Sequence, residues 1–269
     1  MRNAAPNAAQ QTAAEAATAA RQVVAGWWGI VRLAAQLLEL ALTRSTWRRE
    51  SWHILARHIV QDTTPMLGWF AVLTTLISVV VIRIVIVTAL SYGLTQYALE
   101  MVVRVLVLEL IPLTAALFAA LRCTLPNAAE VAALRVQGRW TAAVQAGTDP
   151  LRDEVLPRVV SGLFSALMLA AVSCVVTLGV AYLSVYGPVV SGLEGYTRTV
   201  GHVFNPAVSL ILGLKILFLA FAVALVPMAS VLAAAPQQRR GASAELSGLV
   251  RMFVVILVIE AASLVGNYY

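Results

Sequence analysis

The chain has 269 residues, of which 60% are hydrophobic and 12% are charged, with a formal net charge of +6. A soluble domain carries about twice this charged fraction. Several apolar runs exceed the ~20 residues that cross a bilayer, so a soluble globular protein is excluded and a polytopic membrane protein is indicated. The arginines fall in short clusters between apolar runs, as in cytoplasmic loops, and nucleic-acid binding is therefore not expected.

The first 45 residues divide into two parts. Residues 1–21 are rich in alanine and glutamine and predict a mobile cytoplasmic tail. Residues 22–45 predict an amphipathic helix, because Arg32, Gln36 and Glu39 recur at helical spacing opposite an apolar face. An interfacial position suits this helix better than a span, since a charge in lipid is costly. An ordinary helix packed on the rest of the protein is the alternative.

Five apolar runs predict membrane-spanning helices in an all-α, polytopic membrane protein. They cover residues 65–90, 98–121, 159–186, 206–234 and 245–266, the first opening at Pro65. Arginine-rich connections fall on the same side each time. By the positive-inside rule this places the N-terminus in the cytoplasm and the C-terminus outside. Residues 46–269 are thus predicted to form one five-span domain.

The largest predicted cytoplasmic loop, residues 122–158, joins the second and third spans. Within it, residues 126–147 carry an apolar stripe at helical spacing and predict a surface helix that ends at Gly147. A short helix lying between two spans can transmit force from a soluble partner. A connector without any partner is the alternative that periodicity leaves open.

Three of the cations within the predicted spans are singled out, because an ionisable group in the membrane is a functional candidate by default. Arg83 falls in the first span, Arg104 in the second and Lys215 in the fourth. Each is a candidate to attract the phosphate of a lipid headgroup in a cavity with apolar walls. Pairing with intramembrane carboxylates, for structure alone, is the other interpretation.

Three of the acids within the predicted spans, Glu100, Glu109 and Glu260, are expected to be structural. Glu100 precedes Arg104 by one helical turn, a spacing at which the two side chains can pair. Glu109 and Glu260 are candidate partners for Arg83 or Lys215.

The sequence contains no constellation for catalysis or for a metal. The three histidines, His53, His58 and His202, do not cluster at the spacing of metal ligands. No phosphate-binding loop motif occurs, and no serine has a nucleophile setting. We therefore expect no catalytic residue, no metal and no cofactor, and the chain is not expected to be an enzyme.

The run from Glu109 to Arg158 resembles the MlaE family of ABC-transporter permeases, which move lipids between bacterial membranes together with MCE proteins. The positions that match the family pattern are Glu109, Leu110, Pro112, Arg122, Ala129, Glu130, Arg135, Asp149, Pro150, Leu151, Arg152, Pro157 and Arg158. Five spans preceded by an interfacial helix are also similar to the family, and this likeness covers residues 22–266.

The resemblance implies the transmembrane subunit of a phospholipid transporter in the bacterial inner membrane. It implies a second permease copy, in a homodimer or a mixed dimer, with lipid held between the copies. It also implies a separate P-loop ATPase that hydrolyses ATP and a periplasmic MCE-domain protein. The ATPase would dock on the helix at 126–147 and its surroundings, where the candidate contacts are Glu130, Arg135, Arg139, Trp140, Asp149 and Arg152. An ATP-independent transporter or an assembly scaffold is the alternative function.

Four positions depart from the family pattern. Ile111, Leu121 and Thr124 stand where the family has glycine, and Gly138 stands where the docking helix usually has an acid. Arg139 follows directly, so the local charge is more positive than the family pattern. A divergent member with an altered ATPase contact is therefore expected.

Overall fold

The structure is a computed structural model that describes residues 27–40, 42–43, 49–94, 97–233 and 242–268. Helices and short connections make up these residues, and no strand occurs among them. The first four helices are α1 (residues 27–40), α2 (Arg49–Ser91), α3 (Ala98–Val136) and α4 (Arg139–Gln145). The other four are α5 (Leu151–Tyr186), α6 (Leu193–Val203), α7 (Pro206–Ala233) and α8 (Ala242–Tyr268).

Five of the described helices are long and apolar enough to span a membrane, which confirms the prediction of an all-α polytopic membrane protein. The spanning segments are Leu55–Ser91, Ala98–Val136, Leu151–Tyr186, Pro206–Ala233 and Gly248–Asn267. Helix α7 is the most buried of the five, whereas α2 and α8 are the least buried and present most of their surface outward. The core therefore lies around α7, where α3 and α5 pack against it.

The bundle has two ends that differ in charge. We call the end that carries α1, α4 and the connection from α4 to α5 the basic end, and the end that carries α6 the opposite end. Described arginines at the basic end are Arg32, Arg57, Arg122, Arg135, Arg139, Arg152 and Arg158, whereas Arg198 of α6 lies at the opposite end. The connection between the third and fourth spans contains the short helix α6.

Helix α6 is held to the bundle by Tyr196. The Tyr196 hydroxyl donates a hydrogen bond to the carbonyl of Leu178 at 2.8 Å, and its ring meets the rings of Tyr182 and Tyr186 edge-on. Burial raises the pKa of Tyr196 to about 12. The phenol therefore remains a neutral donor throughout the physiological pH range.

The first span begins earlier than predicted. A start at Pro65 was expected, but α2 runs without interruption from Arg49 and contains Pro65 in its interior. Proline removes one backbone hydrogen bond from a helix, and neighbouring helices allow such a break in a membrane bundle. Here α2 packs along α5, and the hydroxyls of Thr63 and Ser165 are 2.7 Å apart close to the proline.

The predicted loop at 122–158 is mostly helical. Helix α3 has 39 residues and would be about 58 Å long at the usual rise, nearly twice the thickness of a hydrocarbon core. Its last turns therefore extend beyond the membrane at the basic end. The helix contains two π-helical stretches, Val103–Leu110 and Ala120–Thr124, and α5 opens with a third, Leu151–Val155.

The prediction of a single surface helix over residues 126–147 is wrong, because two helices occupy this range. Leu125–Val136 continues α3, and α4 follows as a separate short helix. Between them Gly138 has φ of +74°, the left-handed conformation that ends a helix and that glycine adopts without steric cost. The residue that stands in place of a family acid is thus the residue that redirects the chain.

Helix α1 has three faces. Leu33 and Leu37 are buried against α3, α5 and α7. A second apolar face, consisting of Trp28, Val31 and Leu38, is exposed. Arg32 and Glu39 lie on a third, polar face. Such a helix meets protein, lipid and water on different sides, as expected at a membrane interface. Residues 22–26, 41, 44 and 45 of the predicted helix, and the predicted tail 1–21, lie outside the described residues.

Close packing of α3 on α5 depends on Gly162. A Cβ atom at Gly162 would lie 2.7 Å from Cγ2 of Thr124, whereas one at Gly179 of the same helix would meet nothing within 4 Å. Small residues at such contacts let helix backbones approach closely. We expect Gly162→Ala to lower the free energy of unfolding by about 1–3 kcal/mol and Gly179→Ala not to lower it. Thermal unfolding in detergent compares them, and equal melting temperatures would contradict this packing.

Candidate functional site

Lys215 is the centre of a buried charge cluster in the spans. The residue is 3% exposed on α7, and its Nζ donates hydrogen bonds to the Glu109 carboxylate and to Glu260 Oε1, the latter at 2.8 Å. It also donates to the carbonyl of Leu108 at 3.1 Å, and Asn267 Nδ2 donates to Glu109 Oε1 at 3.2 Å. These residues, which we call the Lys215 cluster, join α3, α7 and α8.

The Lys215 cluster has more acceptors than donors. Two carboxylates face one ammonium group, so their formal charges sum to −1 when all three are ionised. Glu260 Oε2, Ser263 Oγ and Asn267 Oδ1 are buried without a hydrogen-bond partner among the described residues. Glu109 belongs to the π-helical stretch Val103–Leu110, and such stretches are frequent at functional sites. The cluster is therefore sensitive to any change that removes its single cation.

The other charged candidates within the spans, Arg83, Glu100 and Arg104, lie towards the opposite end. Arg104 Nε donates to Glu100 Oε1 at 3.0 Å, and about a third of each side chain is exposed. Arg83 is exposed on α2 and forms no hydrogen bond or ion pair with another described residue. Arg83 precedes Ser91 by eight residues and Arg104 follows Ala98 by six, which places them about 12 Å and 9 Å inside the helix ends.

Arg135 connects α3 to the end of α7 at the basic end. Its Nη1 donates to the carbonyls of Val231 and, at 3.0 Å, Leu232. The last carbonyls of a helix have no partner within the helix, so a guanidinium there satisfies groups that need a donor. The same guanidinium lies 6.0 Å from the centre of the Trp140 ring on α4. Arg135 therefore links its own helix, α3, to α7 and α4.

The remaining docking candidates lie around α4 and the start of α5. Glu130, Arg139 and Asp149 are exposed, whereas Trp140 and Arg152 are half-buried. Arg158 of α5 bonds the carboxylate of Glu154 and lies 3.4 Å from Glu130 of α3. Asp149 Oδ1 accepts from the backbone N–H of Leu151 at 3.1 Å, which satisfies a free donor at the start of α5. The candidates thus combine exposed charges with contacts that join α3 to α5.

Asp62 is a polar centre that the sequence reading missed. Its Oδ2 accepts from Ser161 Oγ at 2.6 Å, from Asn127 Nδ2 at 3.2 Å and from Cys123 Sγ at 3.6 Å. These partners come from α3 and α5, far from Asp62 in sequence. The sequence signal for this site consists of one acid, Asp62, and one amide, Asn127, in two helices near the basic end. Sequence alone does not show that these two side chains pair. The carboxylate holds α2, α3 and α5 together.

Removing the Asp62 carboxylate should destabilise this junction. We expect Asp62→Ala to lower the free energy of unfolding by about 2–4 kcal/mol, because three buried donors lose their shared acceptor. Asp62→Asn keeps one acceptor oxygen and should have a smaller effect. Asp153→Ala removes an exposed carboxylate at the same end and is the matched control. Equal melting temperatures for Asp62→Ala and Asp153→Ala would contradict the role assigned to Asp62.

Among the described residues, no group of three or more histidine, cysteine, aspartate or glutamate side chains is placed to hold a metal ion.

The fold and its charge clusters define a multi-pass membrane protein with ion-paired spans. The family model for Permease MlaE matches residues 55–265, and the chain belongs to the MlaE permease family. The resemblance found in the sequence is thereby confirmed, and it extends across all five spans. No curated protein matches the chain significantly.

Family membership identifies the chain as a membrane permease component of a lipid transport system. Permeases of this family are normally non-catalytic transmembrane subunits that associate with an ATPase and other transporter components. The match includes α3, α4 and the start of α5, where the docking candidates lie.

Proposed function

We propose that the chain is the permease subunit of an ABC-type, MCE-associated phospholipid transporter in the bacterial inner membrane. Family membership and the unequal distribution of arginines between the two ends support this proposal, with the basic end in the cytoplasm. Two permease copies would form the membrane unit, as a homodimer or a mixed dimer. A P-loop ATPase would bind at the basic end and a periplasmic MCE-domain protein at the opposite end.

The observation that carries the proposal is the set of contacts that joins the docking region to three spans. Arg135 bonds the end of α7 and lies beside Trp140 of α4. Arg158 joins α5 to Glu130 of α3. Glu130, Arg139 and Asp149 are exposed and would contact the ATPase. A displacement of α4 would therefore reach α3, α5 and α7, which is how closure of the ATPases would alter a cavity between two permease copies.

The transported lipid would lie towards the opposite end. Arg83 is exposed on a spanning helix, where an unpaired charge costs several kcal/mol unless an anion or water accompanies it. A headgroup phosphate would supply that anion, and Arg104 lies at a similar depth on the neighbouring α3. In this arrangement Lys215 acts behind the cavity, where it holds α3, α7 and α8 in position.

Co-purification tests the proposed coupling. The tagged chain is extracted in mild detergent, and the proteins that accompany it are identified by mass spectrometry. We expect a P-loop ATPase with the wild type and about tenfold or greater loss of it with Arg139→Glu, which reverses an exposed docking charge. Arg198→Glu makes the same reversal on α6 and should retain the ATPase. A wild-type chain that purifies without any ATPase, while other complexes survive, would favour the ATP-independent alternative.

A further inference from the structure

A pocket of about 420 Å³ opens at the basic end between α1, α4 and α7. Its polar lining consists of Arg32 and Gln36 of α1 and Arg135 of α3, and its apolar lining includes Trp28, Trp140 and Leu232. No acidic residue lines the pocket among the described residues. Two guanidinium groups that line one pocket make an environment that favours an anion.

The two arginines differ in how firmly the structure holds them. Arg135 is fixed by the carbonyls of Val231 and Leu232 and lies beside the ring of Trp140. Arg32 projects from the polar face of α1 and is exposed. A ligand group in the pocket can therefore meet the fixed guanidinium of Arg135 on one side and the adjustable guanidinium of Arg32 on the other. Guanidinium donors match the oxygens of a phosphate in geometry and charge.

The position of the pocket indicates a lipid as the source of that phosphate. It is bounded by α1, whose exposed apolar face of Trp28, Val31 and Leu38 marks where the helix meets acyl chains. Tryptophan side chains favour the level of the headgroups. A lipid that placed its phosphate in the pocket could therefore lay its acyl chains along the exposed face of the same helix.

We propose that this pocket binds the phosphate headgroup of an anionic phospholipid from the leaflet at the basic end, and that this lipid is resident rather than transported. The bound lipid would bridge α1 to α4, so the lipid composition of that leaflet would influence the position of α4. The proposal requires a membrane location for the pocket and does not depend on an ATPase, so it stands or fails separately from the proposed function.

Native mass spectrometry of the delipidated full-length protein tests the proposal. Phosphatidylglycerol and phosphatidylcholine with identical acyl chains are titrated into the wild type and two variants. Arg32→Gln removes the pocket charge, whereas Arg57→Gln removes an exposed arginine of α2 that does not line the pocket. We expect phosphatidylglycerol to bind the wild type about tenfold more tightly than phosphatidylcholine, Arg32→Gln to remove that preference, and Arg57→Gln to retain it.

Three results would overturn the proposal. Equal binding of the two lipids by the wild type would show that the pocket has no preference for anionic headgroups. Equal losses in Arg32→Gln and Arg57→Gln would assign the preference to general surface charge. Displacement of bound phosphatidylglycerol by millimolar glycerol 3-phosphate would assign the pocket to a soluble phosphate compound. Unchanged melting of lipid-free Arg32→Gln verifies that the variant is folded.

Discussion

Lys215→Met is expected to lower the melting temperature of the protein in detergent by roughly 6 °C or more and to abolish lipid transport. The Lys215 side chain is 1% exposed, and the side chains of Glu109 and Glu260 are 13% and 15% exposed. Removing one partner of a buried pair costs about 3–5 kcal/mol, and each kcal/mol corresponds to about 2–4 °C in a protein of this size. Here a single substitution leaves two carboxylates without their shared cation, and three helices lose a common contact.

Two further variants separate the charge effect from packing. The triple variant Lys215→Met, Glu109→Gln, Glu260→Gln removes every charge of the cluster and should recover most of the lost stability, because no ion is left unpaired. Arg104→Met breaks a pair that is about a third exposed and lies near a helix end, and its effect should be smaller than that of Lys215→Met. A Lys215→Met protein that melts with the wild type would refute the structural importance of this cluster.

Arg135→Ala is expected to separate ATPase binding from lipid transport. Arg135 lies beside Trp140 of α4 and bonds the carbonyls at the end of α7. Its removal should leave the exposed charges Glu130, Arg139 and Asp149 available to the ATPase while weakening the connection to α7. We expect ATP-dependent lipid transport to fall about tenfold or more, with the ATPase still bound.

The measurement compares ATP hydrolysis and lipid transfer in the same reconstituted complex. Arg135→Lys keeps the positive charge but lacks the guanidinium that donates to both the Val231 and Leu232 carbonyls. Its transport rate should therefore lie between those of Arg135→Ala and the wild type. Arg57→Ala removes an exposed arginine at the same end and should transport lipid like the wild type. Loss of the ATPase from Arg135→Ala would instead make Arg135 a docking residue, and normal transport would show that α7 receives no signal through it.

The number of spans was predictable because each crossing needs a long apolar run, and such runs are conspicuous in this sequence. Their boundaries were less predictable, since helices continue past the hydrocarbon core where hydropathy falls. Helix α2 begins at Arg49 rather than Pro65, and α3 runs to Val136 rather than residue 121. Hydropathy indicates which part of a helix lies in the hydrocarbon core, but it does not indicate where the helix begins or ends.

Charge pairs between residues close in sequence were predictable, whereas pairs between different helices were not. The Glu100–Arg104 contact follows from their spacing within one helix. The sequence named the candidate partners of Lys215 but left their pairing open, because that depends on which helices are neighbours. The role of Asp62 was not predicted for the same reason. Its three hydrogen-bond donors become its neighbours only when α2, α3 and α5 pack together.

Transfer of labelled phospholipid by the purified complex tests the central claim most directly, namely that ATP hydrolysis by a partner drives lipid movement through this permease. The complex retained by the tagged chain is reconstituted into liposomes, and transfer to an added MCE-domain acceptor is followed with ATP or a non-hydrolysable analogue. We predict transfer with ATP and at most a tenth of that rate with the analogue. Equal rates under the two conditions would contradict ATP coupling and leave the chain an uncoupled lipid permease.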